Sequence, residues 1–116
     1  MEDATLTVTV NGRRFTATLE DNETAAAFAA LLPMTLDMSE LNGNEKYHYL
    51  MGPLPSDAQD VGYVEAGDLM LFGESCVVLF YEGFSTGYRY TRIGRLTDAS
   101  GLAQAAGRGS AQVVFE

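Results

Sequence analysis

Two short stretches hold most of the side chains with chemical reach. Tyr88-Arg89-Tyr90-Thr91-Arg92 interleaves rings with guanidinium groups, and Glu45-Lys46-Tyr47-His48-Tyr49 sets a carboxylate, an ammonium and an imidazole among tyrosines. On an extended chain Tyr88, Tyr90 and Arg92 share one face, while Arg89, Thr91 and Ile93 share the other. One reading is a sheet strand that packs one face and ion-pairs at its ends. The other is a pocket wall in which Arg92, with Tyr88 or Tyr90, receives a carboxylate or carbonyl oxygen. His48 has the ordinary pKa of a general base, near about 6.5, but no Ser, Cys or carboxylate stands at a motif spacing from it, and a strand-rim histidine is the simpler reading. A Schiff-base role for Lys46 needs a lowered pKa, and an acidic neighbour such as Glu45 pushes the other way. Ser85-Thr86 sits in a turn, and neither a Gly-x-Ser-x-Gly elbow nor a Gly-rich phosphate loop occurs. The candidate ligand-binding set is therefore Lys46, Tyr47, His48, Tyr88 and Arg92.

Composition narrows the classes. The chain has 116 residues, 16 acidic against 7 basic, for a net charge of −9. Its length fits one domain, residues 1–116, able to bury about two-thirds of its unfolded surface without a staple. One Cys and one His exclude zinc fingers, zinc ribbons and a disulfide framework. No apolar run approaches the roughly 20 residues of a membrane helix. Twelve acidic residues and only Lys46 among the basic ones lie between Phe15 and Glu82, whereas between Gly83 and Phe115 Arg89, Arg92, Arg95 and Arg108 face Asp98 alone. Such a chain is repelled by phosphate backbones and anionic membranes, and its asymmetry suggests that the Arg-rich part pairs with the acidic remainder. No metal or cofactor motif is present. The acidic start, Met1-Glu2-Asp3, carries no secretory signal pattern. That predicts a cytoplasmic protein as written, or an exported one if a leader has been removed. Cys76 lies in an apolar run and reads as a buried, inert thiol. Met34, Met38, Met51 and Met70 read as core filling rather than a permissive pocket.

The elements that must position these residues are mostly short strands. Thr5–Val10 and Arg14–Leu19 alternate with period two around Asn11-Gly12, the signature of a type I′ hairpin. Glu20 to Glu23 supplies caps and acids for a helix of about three turns that Pro33 stops, with Ala25, Phe28, Leu31 and Leu32 along one face. Met34–Met38 reads as a strand. Leu41–Ala66 is irregular, with brief strands near Tyr47–Leu50 and Gly62–Val64. Asp68–Phe72 and Cys76–Tyr81 form a second, buried hairpin, and Tyr88–Gly94 another strand. Asp98 is placed to cap a short helix through Leu102, Ala103 and Ala106 with Gly107 as its stop, and Gln112–Phe115 is the last strand. About eight antiparallel strands and two short helices predict a mainly β fold, a small closed barrel with helices in its open ends.

The order of elements resembles the cyclophilin-like barrel. Several strings are similar to bacterial cyclophilin-like-fold proteins of unknown function: Leu31-Leu32-Pro33-Met34-Thr35-Leu36, Leu41-Asn42-Gly43-Asn44-Glu45-Lys46-Tyr47, Gly67-Asp68-Leu69-Met70-Leu71-Phe72, Phe84-Ser85-Thr86-Gly87-Tyr88 and Tyr90-Thr91-Arg92-Ile93-Gly94-Arg95. The resemblance spans Leu6 to Phe115 and implies the fold. In the prolyl-isomerase cyclophilins it also implies catalysis by an Arg after a Phe-His pair, on the strand following the first helix. Here that strand has no Phe-His-x-Arg string, no Arg stands between Arg14 and Arg89, and there is no Trp. Losing such a donor costs about 2.7–4 kcal/mol by analogy with an oxyanion hole. The expectation is therefore a module that binds a small molecule or peptide segment without the isomerase chemistry. Alternatives are an atypical isomerase using Arg92, and a non-catalytic accessory domain with a protein partner, since relatives beside flavodoxin-like domains suggest a redox one.

Overall fold

The computed structural model describes residues 4–116; the acidic start at residues 1–3 lies outside the described residues. In chain order the elements are β1 (Thr5–Val10), β2 (Arg13–Leu19), α1 (Glu23–Ala29), β3 (Met34–Leu41), β4 (Glu45–Tyr49), β5 (Gln59–Asp60), β6 (Tyr63–Val64), β7 (Asp68–Phe72), β8 (Cys76–Phe80), β9 (Phe84–Ser85), β10 (Arg89–Leu96), α2 (Leu102–Ala106) and β11 (Ala111–Phe115). Eight strands, in the order β2-β1-β11-β3-β4-β8-β7-β10, close on themselves when β10 pairs β2 through Gly94↔Leu19, Arg95↔Thr18 and Leu96↔Ala17. Every pairing is antiparallel. β5 adds to the start of β10, and β6 and β9 make a separate two-stranded ribbon.

Two Asn-Gly turns set the registers of the first half. Asn11 (φ 48°) and Gly12 (φ 88°) turn β1 into β2 as expected. Asn42 (φ 56°) and Gly43 (φ 70°) take the same conformation in the three-residue loop from β3 to β4, where Asn44 follows them, because both central residues of such a turn need positive φ. Part of the stretch expected to be irregular is thus a regular hairpin, and β3 runs three residues further than Met38. Barrel closure depends on a different glycine. A Cβ on Gly94 would collide with the Thr18 carbonyl, so only glycine lets β10 lie this close to β2, beside the bulge between Arg92 and Gly94.

The helices occupy opposite ends of the barrel. α1 spans seven residues, about two turns rather than three, with Asn22 as its N-cap accepting from the Ala25 amide at 2.7 Å. Its Phe28 is fully buried, edge-on to Phe115 with ring centroids 5.2 Å apart. α2 closes the end that carries the two Asn-Gly turns, and Asn11 Nδ2 donates to the Ala105 carbonyl at 2.8 Å. Asp98 is not its cap: Gly101 holds that position, while the Asp98 carboxylate accepts from the Ser100 amide at 2.9 Å. Asp98 lies three residues before Gly101, so its short side chain closes a local turn instead.

Strands β7 and β8 are buried on both faces except at Phe72. Leu69, Leu71, Val77 and Leu79 point into the barrel with Val8, Val113 and Phe115. Met70, Cys76, Val78 and Phe80 point outward and form a second cluster with Val64 and Tyr90. A continuous apolar run therefore marks a strand with two packed faces, and the outer cluster is the base of the site.

Candidate functional site

On β4 the period-two alternation separates neighbours. Glu45, Tyr47 and Tyr49 face outward over β8, while Lys46 and His48 lie on the other side. Outside, a cavity of about 440 Å³ is walled by Tyr47, Tyr49, Phe72, Phe84, Tyr88 and Tyr90, with Cys76 and Val78 between them and Glu45, Leu41 and Asn42 completing the lining. The rings interlock. Phe72 meets Tyr88 edge-on at 5.8 Å and Tyr90 at 5.7 Å, and Tyr47 meets Tyr49 edge-on at 6.0 Å. Beneath them Phe80 contacts Tyr90 at 5.4 Å and Phe84 at 5.7 Å. Tyr88 remains 65% exposed at the mouth.

Three ionisable groups in this wall are shaped by burial, among them Tyr90, whose phenol is pushed up by burial and by the Glu45 charge. Glu45 is only 8% exposed, and among the described residues it has neither an ion-pair partner nor a hydrogen-bond donor. Burial pushes its carboxyl above the usual glutamate range, and the charge of Glu40 adds to the effect. Burial also pushes the Cys76 thiol up, with the Glu45 charge adding to the rise against hydrogen bonds that lower it. The thiol is therefore poorly disposed to nucleophilic attack, as its apolar setting in the sequence suggests.

Lys46 is not in this cavity, which corrects its place in the sequence-derived set. Its side chain is fully buried, and Nζ donates to Glu40 Oε1 at 2.8 Å and to the carbonyls of Gly107 at 2.8 Å and Gly109 at 2.5 Å. The ammonium also lies 5.1 Å from the centre of the Tyr81 ring. Tyr81 donates its hydroxyl to Glu40 Oε1 at 2.6 Å. Burial and the adjacent Glu40 carboxylate raise the phenol to about 12. Burial also pushes the Glu40 carboxyl up, but hydrogen bonds from Lys46, Tyr81 and the Gly43 amide outweigh it and hold the group below its ordinary value. All three ammonium protons are used, so Lys46 is a structural tie between β3, β4 and the segment after α2. His48 lies on the same side of β4, with Nδ1 3.0 Å from the Asp37 carbonyl; a carbonyl only accepts, so the ring carries a proton on that nitrogen.

Arg92 also stands apart from the aromatic cavity. It lines a neighbouring cleft of about 390 Å³ with Glu20, Glu23, Thr24, Asp57 and Thr91. Tyr90 borders both. This cleft is tied together by Thr24 Oγ1 donating to the Pro55 carbonyl at 2.5 Å, the Asp57 amide donating to Thr91 Oγ1 at 2.9 Å, and Asn22 Nδ2 donating to the Arg92 carbonyl at 2.9 Å. Of the remaining arginines, Arg89 pairs loosely with Asp60 at 3.9 Å and Arg95 with Asp68 at 3.8 Å, in keeping with internal pairing of the Arg-rich strand. Of the sequence-derived set, then, Tyr47 and Tyr88 meet in one cavity and Lys46, His48 and Arg92 do not. Glu45, Tyr49, Phe72 and Phe84 were missing from it, although the alternation Glu45-x-Tyr47-x-Tyr49 pointed to three of the wall residues at once.

A closed eight-stranded antiparallel barrel, plugged at both ends and carrying an aromatic cavity on its outer wall, defines the class. A sequence model of the cyclophilin-like family matches residues 8–116, and the chain belongs to that family. No curated protein matches the sequence. Among solved structures, the solution structure of a hypothetical protein from Archaeoglobus fulgidus is similar, with a TM-score of 0.67 at 19% identity, covering 98% of this chain and 94% of that one. That likeness bears on the fold alone. Among the described residues no helix is long and apolar enough to cross a membrane.

Proposed function

We propose that the outer aromatic cavity binds a small molecule or a peptide side chain, and that the domain acts by binding rather than by prolyl isomerisation. The observation that supports this is the gathering of six aromatic side chains from β4, β7, β9, β10 and the segment before β10 around one cavity. About 300–1,000 Å³ lined by rings and a few polar groups is the usual form of a ligand site. An isomerase needs a donor beside the pocket that grips the proline ring. Arg92, the candidate donor, lines the adjacent acidic cleft instead.

Two-dimensional NMR with an Ala-Pro peptide in excess, including exchange spectroscopy on the peptide, tests the proposal. The expected result is saturable shifts at Tyr47, Tyr88 and Tyr90 with no enhancement of cis–trans exchange. Enhanced exchange that disappears in Arg92→Ala would replace this reading with the isomerase one.

A further inference from the structure

The cavity contains an uncompensated feature. Burying a carboxylate without a partner is costly, and natural chains keep such groups paired. Among the described residues Glu45 is buried in the cavity wall with none, while Lys46 and Glu40 already form a carboxylate–ammonium pair on the other side of the sheet. Among the described residues no Lys or Arg lines the cavity, which leaves the place of the partner open to a ligand.

The chemistry of the walls says what that partner is. The faces of Tyr and Phe rings carry negative electrostatic potential and attract a cation within about 6 Å. An anion would meet both those faces and Glu45. A hard metal ion is a poor fit, since it requires several oxygen ligands and the wall supplies one carboxylate among rings and a thiol. A group that is cationic and also carries hydrocarbon satisfies both the carboxylate and the rings. The net charge of −9 favours the approach of such a ligand. Building on the ligand-binding reading above, we infer that the cavity recognises an organic ammonium group, with Glu45 as its counter-charge and Tyr47, Tyr49, Tyr88 and Tyr90 as its ring contacts.

Choline and its uncharged carbon isostere, 3,3-dimethylbutan-1-ol, separate charge from shape, and NMR titration of the folded domain reads both. Choline is expected to give saturable shifts at the cavity residues and to bind about tenfold more tightly than the alcohol, as a hydrogen-bonded or ion-paired charge commonly does. Glu45→Gln is expected to remove that preference while the alcohol binds as before. Tyr88→Leu, at the exposed mouth, is expected to weaken choline by about three- to fivefold. A thermal melt of each variant checks that it is folded. Equal affinity for the two probes, or an unchanged preference in Glu45→Gln, overturns the ammonium assignment and leaves the cavity as a ligand site. Failure of choline to shift the cavity overturns the ammonium assignment, and the ligand-site reading is then decided separately by the Ala-Pro titration above. A peptide bearing trimethyllysine, compared with free choline, distinguishes a protein-borne ammonium from a free one.

Discussion

Glu45 and Lys46 are neighbours in the chain and occupy opposite kinds of environment. Lys46 sits inside the barrel with every proton engaged, by one carboxylate and two carbonyls, beneath the Tyr81 ring. Glu45 sits outside, 8% exposed in the wall of the cavity, with no described partner. Buried polar groups ordinarily resolve in the first way, because an unmet hydrogen bond in a low-dielectric interior is expensive. The difference separates a charge that holds the fold together from one that the fold carries at a cost. The second kind is where a binding role is to be sought.

Breaking the inner group gives the largest expected effect. Lys46→Met should lower stability by about 3–5 kcal/mol, because it strands a carboxylate and two carbonyls. Urea unfolding followed by circular dichroism measures this, and an unchanged midpoint would mean that the tie holds nothing. Tyr81→Phe deletes one bond to Glu40, which stays 21% exposed at its side chain. A loss of about 1 kcal/mol is expected, visible in the same experiment.

The two glutamates should also respond to pH with opposite sign. Glu40 titrates below its ordinary 4.5 in the native state, so its contribution is present above that pH and is lost as pH falls through the lowered native value. Glu45 titrates above 4.5, so its contribution is complete below that pH and is lost as pH rises through the raised native value. Stability measured from pH 3 to 8 should therefore show a shallower acid-side slope in Glu40→Gln, while the lowered Asp98 keeps its own share. It should show a smaller fall on the other side in Glu45→Gln. At neutral pH Glu45→Gln should be more stable than the parent by about 1 kcal/mol, a gain in fold that accompanies a loss of ammonium binding. A destabilised Glu45→Gln would show that the carboxylate has an internal partner after all. The smallest effect belongs to Tyr88→Leu, whose stability should stay within about 0.5 kcal/mol of the parent while its ligand affinity changes.

Much of the architecture was legible because it is written locally. Asn11-Gly12 announces a hairpin, and the unbroken run Cys76–Phe80 announces a strand packed on both sides. Asn42-Gly43 carried the same signal as Asn11-Gly12, but the polar residues around it obscured it. The site was less legible. Strand alternation says that Lys46 and Tyr47 point apart, yet it does not say which side is the interior. That depends on the Gly107 and Gly109 carbonyls, more than 60 residues away in sequence, which accept from the ammonium. Likewise Tyr88, Tyr90 and Arg92 share a face on an ideal strand. In the folded chain β10 begins at Arg89 and borders two clefts, so Arg92 falls in one, Tyr88 in the other, and Tyr90 on the boundary.

The position of β11 carries a consequence for synthesis. This final strand lies between β1 and β3, with Val8 opposite Phe115 and Leu36 opposite Val113. Until residues 111–115 have been made and are free to pair, β1 and β3 have no common neighbour, and each presents an open edge able to pair with another nascent chain. The barrel can therefore close only after translation has reached its last strand. Its hairpins can form as they emerge, but the ring closes only when β11 takes its place, whereas the outer cavity is built on the contiguous strands β3, β4, β8, β7 and β10 and does not touch β11.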